Sequence, residues 1–381
     1  MNSEWHQRVR EWRRHLHRHA ELSLQEHQTA DFVCGRLTEL GVPFTAGIGG
    51  YGVVGTIRRG ASDRSVGLRA DMDALPIQET TGLDYASQTD GVMHACGHDG
   101  HTASLLGAAA LLACDDGWSG TVHFVFQPAE EGYGGARSMI DGGLFERFPM
   151  QRIFGFHNWP GLEAGTVALH HGPVMAAGGR VTIIVDGHAG HAAMPHLTRD
   201  PVLAAGHILV SLQSLVSRNI DPNDGAVVSI CTLDGGVAGN QIPSRVTMTG
   251  TLRSFRDDVG DALEAGIRRI VDGVGQTFGV QTTVEIRRSV SAVINTPAEA
   301  DLAADGVRAI GAPLRRDLPP SMASEDFGWL LGQRPGAFAW IGNGDAQQGA
   351  GLHNPGYDFN DAILPTAANW LAATARRALE A

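Results

Sequence analysis

No stretch of this sequence approaches the roughly 18 consecutive apolar residues that a membrane-spanning helix needs, so a spanning role is not expected. The opening residues, MNSEWHQRVREWRRHLHRHAEL, carry basic side chains with no apolar run behind them, which is not the pattern of a secretory leader. A cytoplasmic location is the expectation that follows. Positive charge is also in deficit. The 29 Lys and Arg face 41 Asp and Glu, a formal net charge of −12, which argues against nucleic acid or an anionic membrane as the main partner. Cysteine is sparse, and Cys34, Cys96, Cys114 and Cys231 lack the spacing of a disulfide framework, so reduced thiols are expected. Neither an internal repeat nor a low-complexity segment is present.

At 381 residues the chain exceeds the size at which one core stops growing, so two domains are expected. Its 50 glycines fall largely between apolar runs, as suits the tight strand-to-helix turns of an α/β enzyme. The first segment predicts a surface helix with Trp5, Val9, Trp12 and Leu16 on one face. ADFVCGRLTELG reads as a helix closed by Gly41, HTASLLGAAALLA as another. GVVGTIRR, SVGLRADMDALP, TVHFVFQPAEE and RIFGFHNWP read as strands. Such alternation predicts a mostly parallel sheet with helices on both faces. The composition then changes near Ala177-Gly178-Gly179, and the order becomes β, α, β, β, α, β. That is a split βαβ, ferredoxin-like α+β unit. It is expected as an insertion at 178–290, dividing a catalytic domain into 1–177 and 291–381.

Three polar motifs fall at the carboxyl ends of predicted strands, where open α/β sheets place their ligand crevice. They are Asp71-Met72-Asp73, Glu130-Glu131 and His157. Between the first two lies His94-Ala95-Cys96-Gly97-His98-Asp99-Gly100-His101, and near the end comes Gly351-Leu352-His353-Asn354-Pro355. Carboxylates, imidazoles and a thiolate on a rigid scaffold are what a metal site needs. Each has a plainer reading alone: His157 as a hydrogen-bonded structural residue, Cys96 as a buried thiol, Glu130-Glu131 as a solvated loop. Taken together at matching strand ends they favour a metal site.

These motifs, HACGHDGHTA, QPAEEG, HNWP and GLHNPGYDFND, together with RADMDALPIQE and RRHLHRHAELSLQEHQTA, resemble the M20 metallopeptidase family. The match is to its amidohydrolase branch of hippurate hydrolases, N-acyl-L-amino-acid amidohydrolases and auxin-conjugate hydrolases, and it spans essentially the whole chain. The peptidase side of the family carries a metal-binding His in an HxDxxP motif, where this chain has Asp71. The resemblance implies that Cys96, His98, Glu131, His157 and His353 hold two divalent metal ions, with the Cys96 thiolate between them. Glu130 would be the general base and Asp73 an orienting group for the catalysis. This division is chemically coherent: one carboxylate coordinates while its neighbour takes a proton from water that the cations acidify, and returns it to the leaving amine. Thiolate and imidazole suit zinc, while carboxylate-rich sites also take manganese, cobalt or nickel.

In the inserted domain, which the resemblance makes a lid and dimerisation domain, His191 of GHAAMPH is similar to a His that hydrogen-bonds the developing oxyanion. The alternative is a His-rich surface turn. Asn240 in GGVAGNQIP and Arg253 in GTLRSF resemble positions that grip a substrate carboxylate, for which the planar Arg fork is suited; a structural salt bridge is the alternative for Arg253. His101 is expected to shape the site or cap its helix, His94 and His123 to be structural, and Asp99 to orient His98 or lie exposed. Ala20 departs from the Pro usual in relatives, which affects a turn.

The implied substrate is a small N-acyl amino acid and the implied assembly a homodimer or higher oligomer. A dipeptidase or carboxypeptidase of the same fold is the second enzyme reading; nothing here is obviously assigned to a dipeptide's free amine. A metal-binding protein without catalysis is a different class, but it should have lost the base or a ligand, and all are present. A redox role for Cys96 predicts a partner thiol close in sequence, and none exists.

Overall fold

The computed structural model describes residues 3–345 and 351–381. It divides into two compact units, one comprising 1–174, 293–320 and 326–381, the other 175–292 and 321–325.

The first unit is built on an eight-stranded sheet in the order Phe44–Ile48, Gly52–Arg59, Gly120–Gln127, Ser65–Asp71, Arg152–Pro160, Gly336–Gly344, Val167–Leu169, Leu314–Arg315. The four central strands, from Gly120–Gln127 to Gly336–Gly344, run parallel. Antiparallel pairs flank them on both sides. Parallel strands covered on both faces read as continuous apolar runs rather than alternating ones. HFVF, IFGF and AFAWI are such runs, and their residues are buried. Against the sheet pack the helix His98–Ala113, almost wholly buried, and the helix Leu364–Glu380, whose Trp370 and Leu371 join the core. The helix His27–Glu39 ends as its sequence predicts. Gly41 takes φ +68° and returns its N–H to the Thr38 carbonyl at 3.0 Å.

The opening helix, Ser3–Arg18, differs from the expected surface helix. Val9, Trp12 and Leu16 are buried as an apolar seam, but Arg13 and His17 are fully buried as well. Arg13 Nε lies 2.8 Å from Asp99 Oδ2, and its other nitrogens reach Asp358 at 2.5 Å and Asp361 at 3.4 Å. His17 sits between Asp99 at 2.8 Å and Glu79 at 3.3 Å. A buried cation is tolerated only when paired in this way.

The second unit carries the order strand Ala177–Asp186, helix Pro201–Ser214, strands Ala226–Asp234 and Arg245–Ser254, helix Asp257–Phe278, strand Gln281–Val290. The two edge strands of its antiparallel sheet are Ala226–Asp234 and Gln281–Val290, with Arg245–Ser254 and Ala177–Asp186 between them. Along Ala177–Asp186, Val181, Ile183 and Val185 alternate inward to meet Ile208, Leu212, Leu263 and Ile267 of the helices. Asp200 caps the first helix by accepting from the Val202 and Leu203 N–H groups. The strands by which the chain enters and leaves are neighbours, with Gly178 opposite Val290. Ser321–Glu325 joins this unit from far along the chain, Ser321 bridging to Met175. Among the described residues no helix is long and apolar enough to cross a membrane.

Candidate metal centre

The carboxyl ends of the parallel strands deliver the polar motifs to one place. Asp71 closes its strand, Glu130 and Glu131 follow Gln127, and His157 lies near the end of Arg152–Pro160. Gly97 begins the helix that carries His98. It adopts φ +88°, and a Cβ there would collide with the Asn158 amide and the Tyr357 hydroxyl. His353 is tethered by its own N–H, which donates to the Ala95 carbonyl at 2.8 Å.

Ligand atoms of Cys96, His98 and His157 all lie within 4.8 Å of one another, as do those of Cys96, Glu131 and His353, and those of His98, Glu130 and Glu131. Cys96 Sγ belongs to the first two sets, which therefore meet at the thiol. The proton positions follow from the partners. His157 Nδ1 faces the Asn158 carbonyl at 2.6 Å and must donate to it, leaving the Nε2 lone pair toward Cys96 Sγ at 3.3 Å. His98 Nδ1 faces the Asp73 carbonyl at 2.9 Å and Asp73 Oδ1 at 3.2 Å, so its Nε2 points inward, fully buried and without a hydrogen-bond partner. A metal-ligating His characteristically has its second nitrogen held by a carboxylate or carbonyl in this manner.

The electrostatics agree. Burial alone would lower His98, but the charges of Asp71, Asp73 and Glu131 outweigh it and raise the imidazole to about 10. Burial, then Glu131 and Glu130, push the Cys96 thiol well above its ordinary value. Carboxylates that raise both His98 and Cys96 mark a site short of positive charge, and a divalent cation reverses both shifts. An orphaned imidazole nitrogen, a thiol and carboxylates within a few ångströms are thus a donor set that fits a divalent metal.

Around this set Asp73, Asp71 and His101 are held by hydrogen bonds. Asp73 Oδ2 accepts from Ser23 Oγ at 2.6 Å and from the Glu131 N–H at 3.0 Å. Asp71, His98 and His101 also cluster, but His101 has no nitrogen to spare: the Asn158 N–H donates to Nε2 at 2.9 Å, and Nδ1 donates to Asp71 Oδ1 at 2.6 Å. Arg69 holds the other Asp71 oxygen at 2.8 Å and Asp326 at 3.0 Å. The Asp326 N–H in turn donates to Glu130 Oε1 at 3.2 Å. His101 therefore ties Asp71 to the Asn158 backbone.

Asp99 does neither thing expected of it. It is buried, and its carboxylate turns away from His98 to Arg13, His17 and the Gly100 N–H. Asp73 orients His98 instead. His123 is structural, bonded to Thr56 and the Pro149 carbonyl. His94 is buried with both ring nitrogens unpartnered, and burial lowers it to about 4. In the second unit His191 and Asn240 come together, because strand Gly190–His191 pairs with Gln241–Ile242 and the Ala192 N–H donates to the Asn240 carbonyl. Arg253 is half-buried and, among the described residues, makes no ion pair; it donates to the Leu252 carbonyl at 2.9 Å and to Thr251. The salt-bridge alternative for Arg253 is not what the structure shows.

Arg69, Gln127 and Asp326 escape the sequence reading, although an Arg inside the apolar run SVGLRAD is itself a signal of a buried partner.

Residues 67–377 match the model of peptidase family M20/M25/M40. The chain belongs to that family. It is 39% identical over 370 residues to a hippurate hydrolase of Campylobacter jejuni, covering 97% of this chain and 96% of that protein. It is 37% identical over 382 residues to an N-acetylcysteine deacetylase of Bacillus subtilis, covering 99% and 98%. A Bacillus subtilis crystal structure described as a dinuclear metal-binding peptidase from the M20 family superposes with a TM-score of 0.88 at 34% identity, covering 100% of this chain and 99% of that one. This M20 chain is accordingly a hydrolytic enzyme with a mixed, parallel-rich α/β fold.

Proposed function

We propose that this M20 enzyme hydrolyses the amide bond of N-acyl amino acids with two divalent metal ions, zinc, manganese, cobalt or nickel. Cys96, His98, Glu131, His157 and His353 would hold them, with the Cys96 thiolate shared. The observation that carries this reading is the meeting of two ligand sets at Cys96, with Glu130 beside them. Bound there, the cations would polarise the scissile carbonyl and acidify a water molecule.

The side chains divide the remaining work. Glu130, steadied by the Asp326 N–H, takes the proton from that water and delivers it to the leaving amine. Asp73 keeps His98 in the tautomer that offers Nε2. To the second unit we assign the oxyanion hydrogen bond from His191, the substrate carboxylate contacts of Asn240 and Arg253, and the pairing of the chain as a homodimer.

A peptidase is the second reading, because the dinuclear relative is described as one. Amine release from N-acetyl, N-benzoyl and dipeptide substrates, using chelator-stripped protein with each metal restored, separates the two. Metal-dependent release from acylated compounds supports the amidohydrolase; release from dipeptides alone replaces it with the peptidase.

A further inference from the structure

The general-base reading of Glu130 leaves open what holds its backbone, and on that reading rests the following. Glu130 follows Ala129, a buried residue with a Cβ that nevertheless adopts φ +55°. Only Leu24 and His353 share a positive φ among the described non-glycine residues. Such a conformation persists when its surroundings over-determine it.

The surroundings are specific. The Ala129 N–H donates to Glu26 Oε1 at 2.7 Å, and the Ala129 carbonyl accepts from the Gly135 N–H at 2.9 Å. On the other side of the base, the Glu131 N–H donates to Asp73 Oδ2, which also holds Ser23 Oγ. The residues on either side of Glu130 thus each give their N–H to a buried carboxyl group. Ser23 and Glu26 belong to one short segment, separated by the turn at Leu24 (φ +66°). That segment is itself fastened next to Asp73: the Ala74 N–H donates to the Glu21 carbonyl at 2.8 Å, and Leu22 bridges to Ala74. Glu26 is fully buried, and its Oε2 has no hydrogen-bond partner.

We propose that Glu26 is a positioning residue: together with Ser23 it clamps the Ala129–Glu131 backbone in its left-handed turn and so aims the Glu130 carboxylate. Burial, assisted by the charge of Asp73 and opposed by the backbone N–H groups, lifts Glu26 to about 7. The bond to the Ala129 N–H uses one carboxyl oxygen as acceptor, which the glutamine amide oxygen also supplies, so glutamine is a faithful substitute.

The experiment uses the full-length metal-loaded enzyme and four variants, Glu26→Ala, Glu26→Gln, Ala129→Gly and the Glu26→Ala/Ala129→Gly double, with Glu130→Gln alongside. It measures kcat and KM, metal per chain, and amide hydrogen exchange over residues 124–135. A misplacement of about 1 Å can cost on the order of 100-fold. Glu26→Ala is therefore expected to lower kcat about 10- to 100-fold with KM and metal content nearly unchanged, and to speed exchange at Ala129 and Glu131. Glu26→Gln should restore both, and the loss from Glu26→Ala should shrink when residue 129 is glycine, which takes positive φ freely. Unchanged exchange and kcat in Glu26→Ala overturn the proposal. So does equal damage from alanine and glutamine accompanied by a lower Tm, which makes Glu26 a fold residue. Should Glu130→Gln remain active, the base assignment fails, while the exchange data still judge the clamp.

Discussion

Replacing Arg13 by Met tests how the buried ionic cluster behind the site is balanced. Methionine keeps an apolar stem of similar length and removes the charge, its hydrogen bonds and the stacking of the guanidinium over Tyr85 and Phe359. The three acids it leaves behind are not equivalent. Asp358 and Asp361 keep partial access to water, at 32% and 15% side-chain exposure, so each loses at most about 1 kcal/mol. Asp99 is fully buried and keeps only His17 and the Gly100 N–H. Stranding one member of a buried pair costs about 3–5 kcal/mol, which for a unit of this size lowers Tm by roughly 6–20 °C. The pH dependence has a definite sign. Burial would raise Asp99, but Arg13 and His17 hold it well below the usual carboxylate range. Its contribution is therefore present above the ordinary Asp value of about 4 and is lost as pH falls below it. In the variant Asp99 protonates more readily, so the gap between parent and variant must narrow as the solution is acidified. Adding Asp99→Asn removes the stranded charge, and the double variant should regain most of the loss. Thermal denaturation at pH 7 and pH 4.5 measures all of this. A loss under about 1 kcal/mol, or a double variant as unstable as the two single losses combined, would refute the reasoning.

Glu130→Gln should retain its metals, by elemental analysis, while kcat falls about 100- to 10,000-fold, the usual worth of a general base. Cys96→Ala should lower metal content as well as activity; unchanged metal per chain demotes the thiol to packing. Glu79 gives a pH test at the surface end of the same cluster. Burial would raise it, but hydrogen bonds from His17, Thr81 and the Ser87 N–H bring it from 4.5 to about 2. Its stabilising contribution is present above pH 4.5 and fades toward pH 2. Tm followed from pH 6 to 3 should fall less steeply in Glu79→Gln than in the parent.

What the sequence reveals here depends on how local the information is. Val181, Ile183 and Val185 announce their strand by alternation, and HFVF announces a doubly covered one by its lack of alternation. Both patterns lie within a few residues. Glu131 and His157 stand out because they follow or end predicted strands, whose carboxyl ends have a fixed place in such a sheet, whereas Cys96, His98 and His353 are picked out by the family resemblance. Arg13, Arg69 and Glu26 are different. Arg13 and Glu26 look like ordinary charged residues until Asp358 and Ala129 close around them, and Arg69, though its apolar neighbours signal a buried partner, does not disclose that the partner is Asp326. Asp99 shows the converse error: its neighbour His98 suggested a local role, and a helix from the far end of the chain claimed the carboxylate instead.

The pairing of Gly178 with Val290 has a consequence for how such proteins can be rebuilt. The chain leaves the first unit and comes back to it along two adjacent strands, so the excursion begins and ends at nearly one point. Inserted domains are tolerated where their two ends lie close together. The second unit therefore has the wiring of a cassette. Exchanging 178–290 for the corresponding stretch of a relative, with Ser321–Glu325 the one further segment to carry across, would test the substrate contacts proposed for this unit.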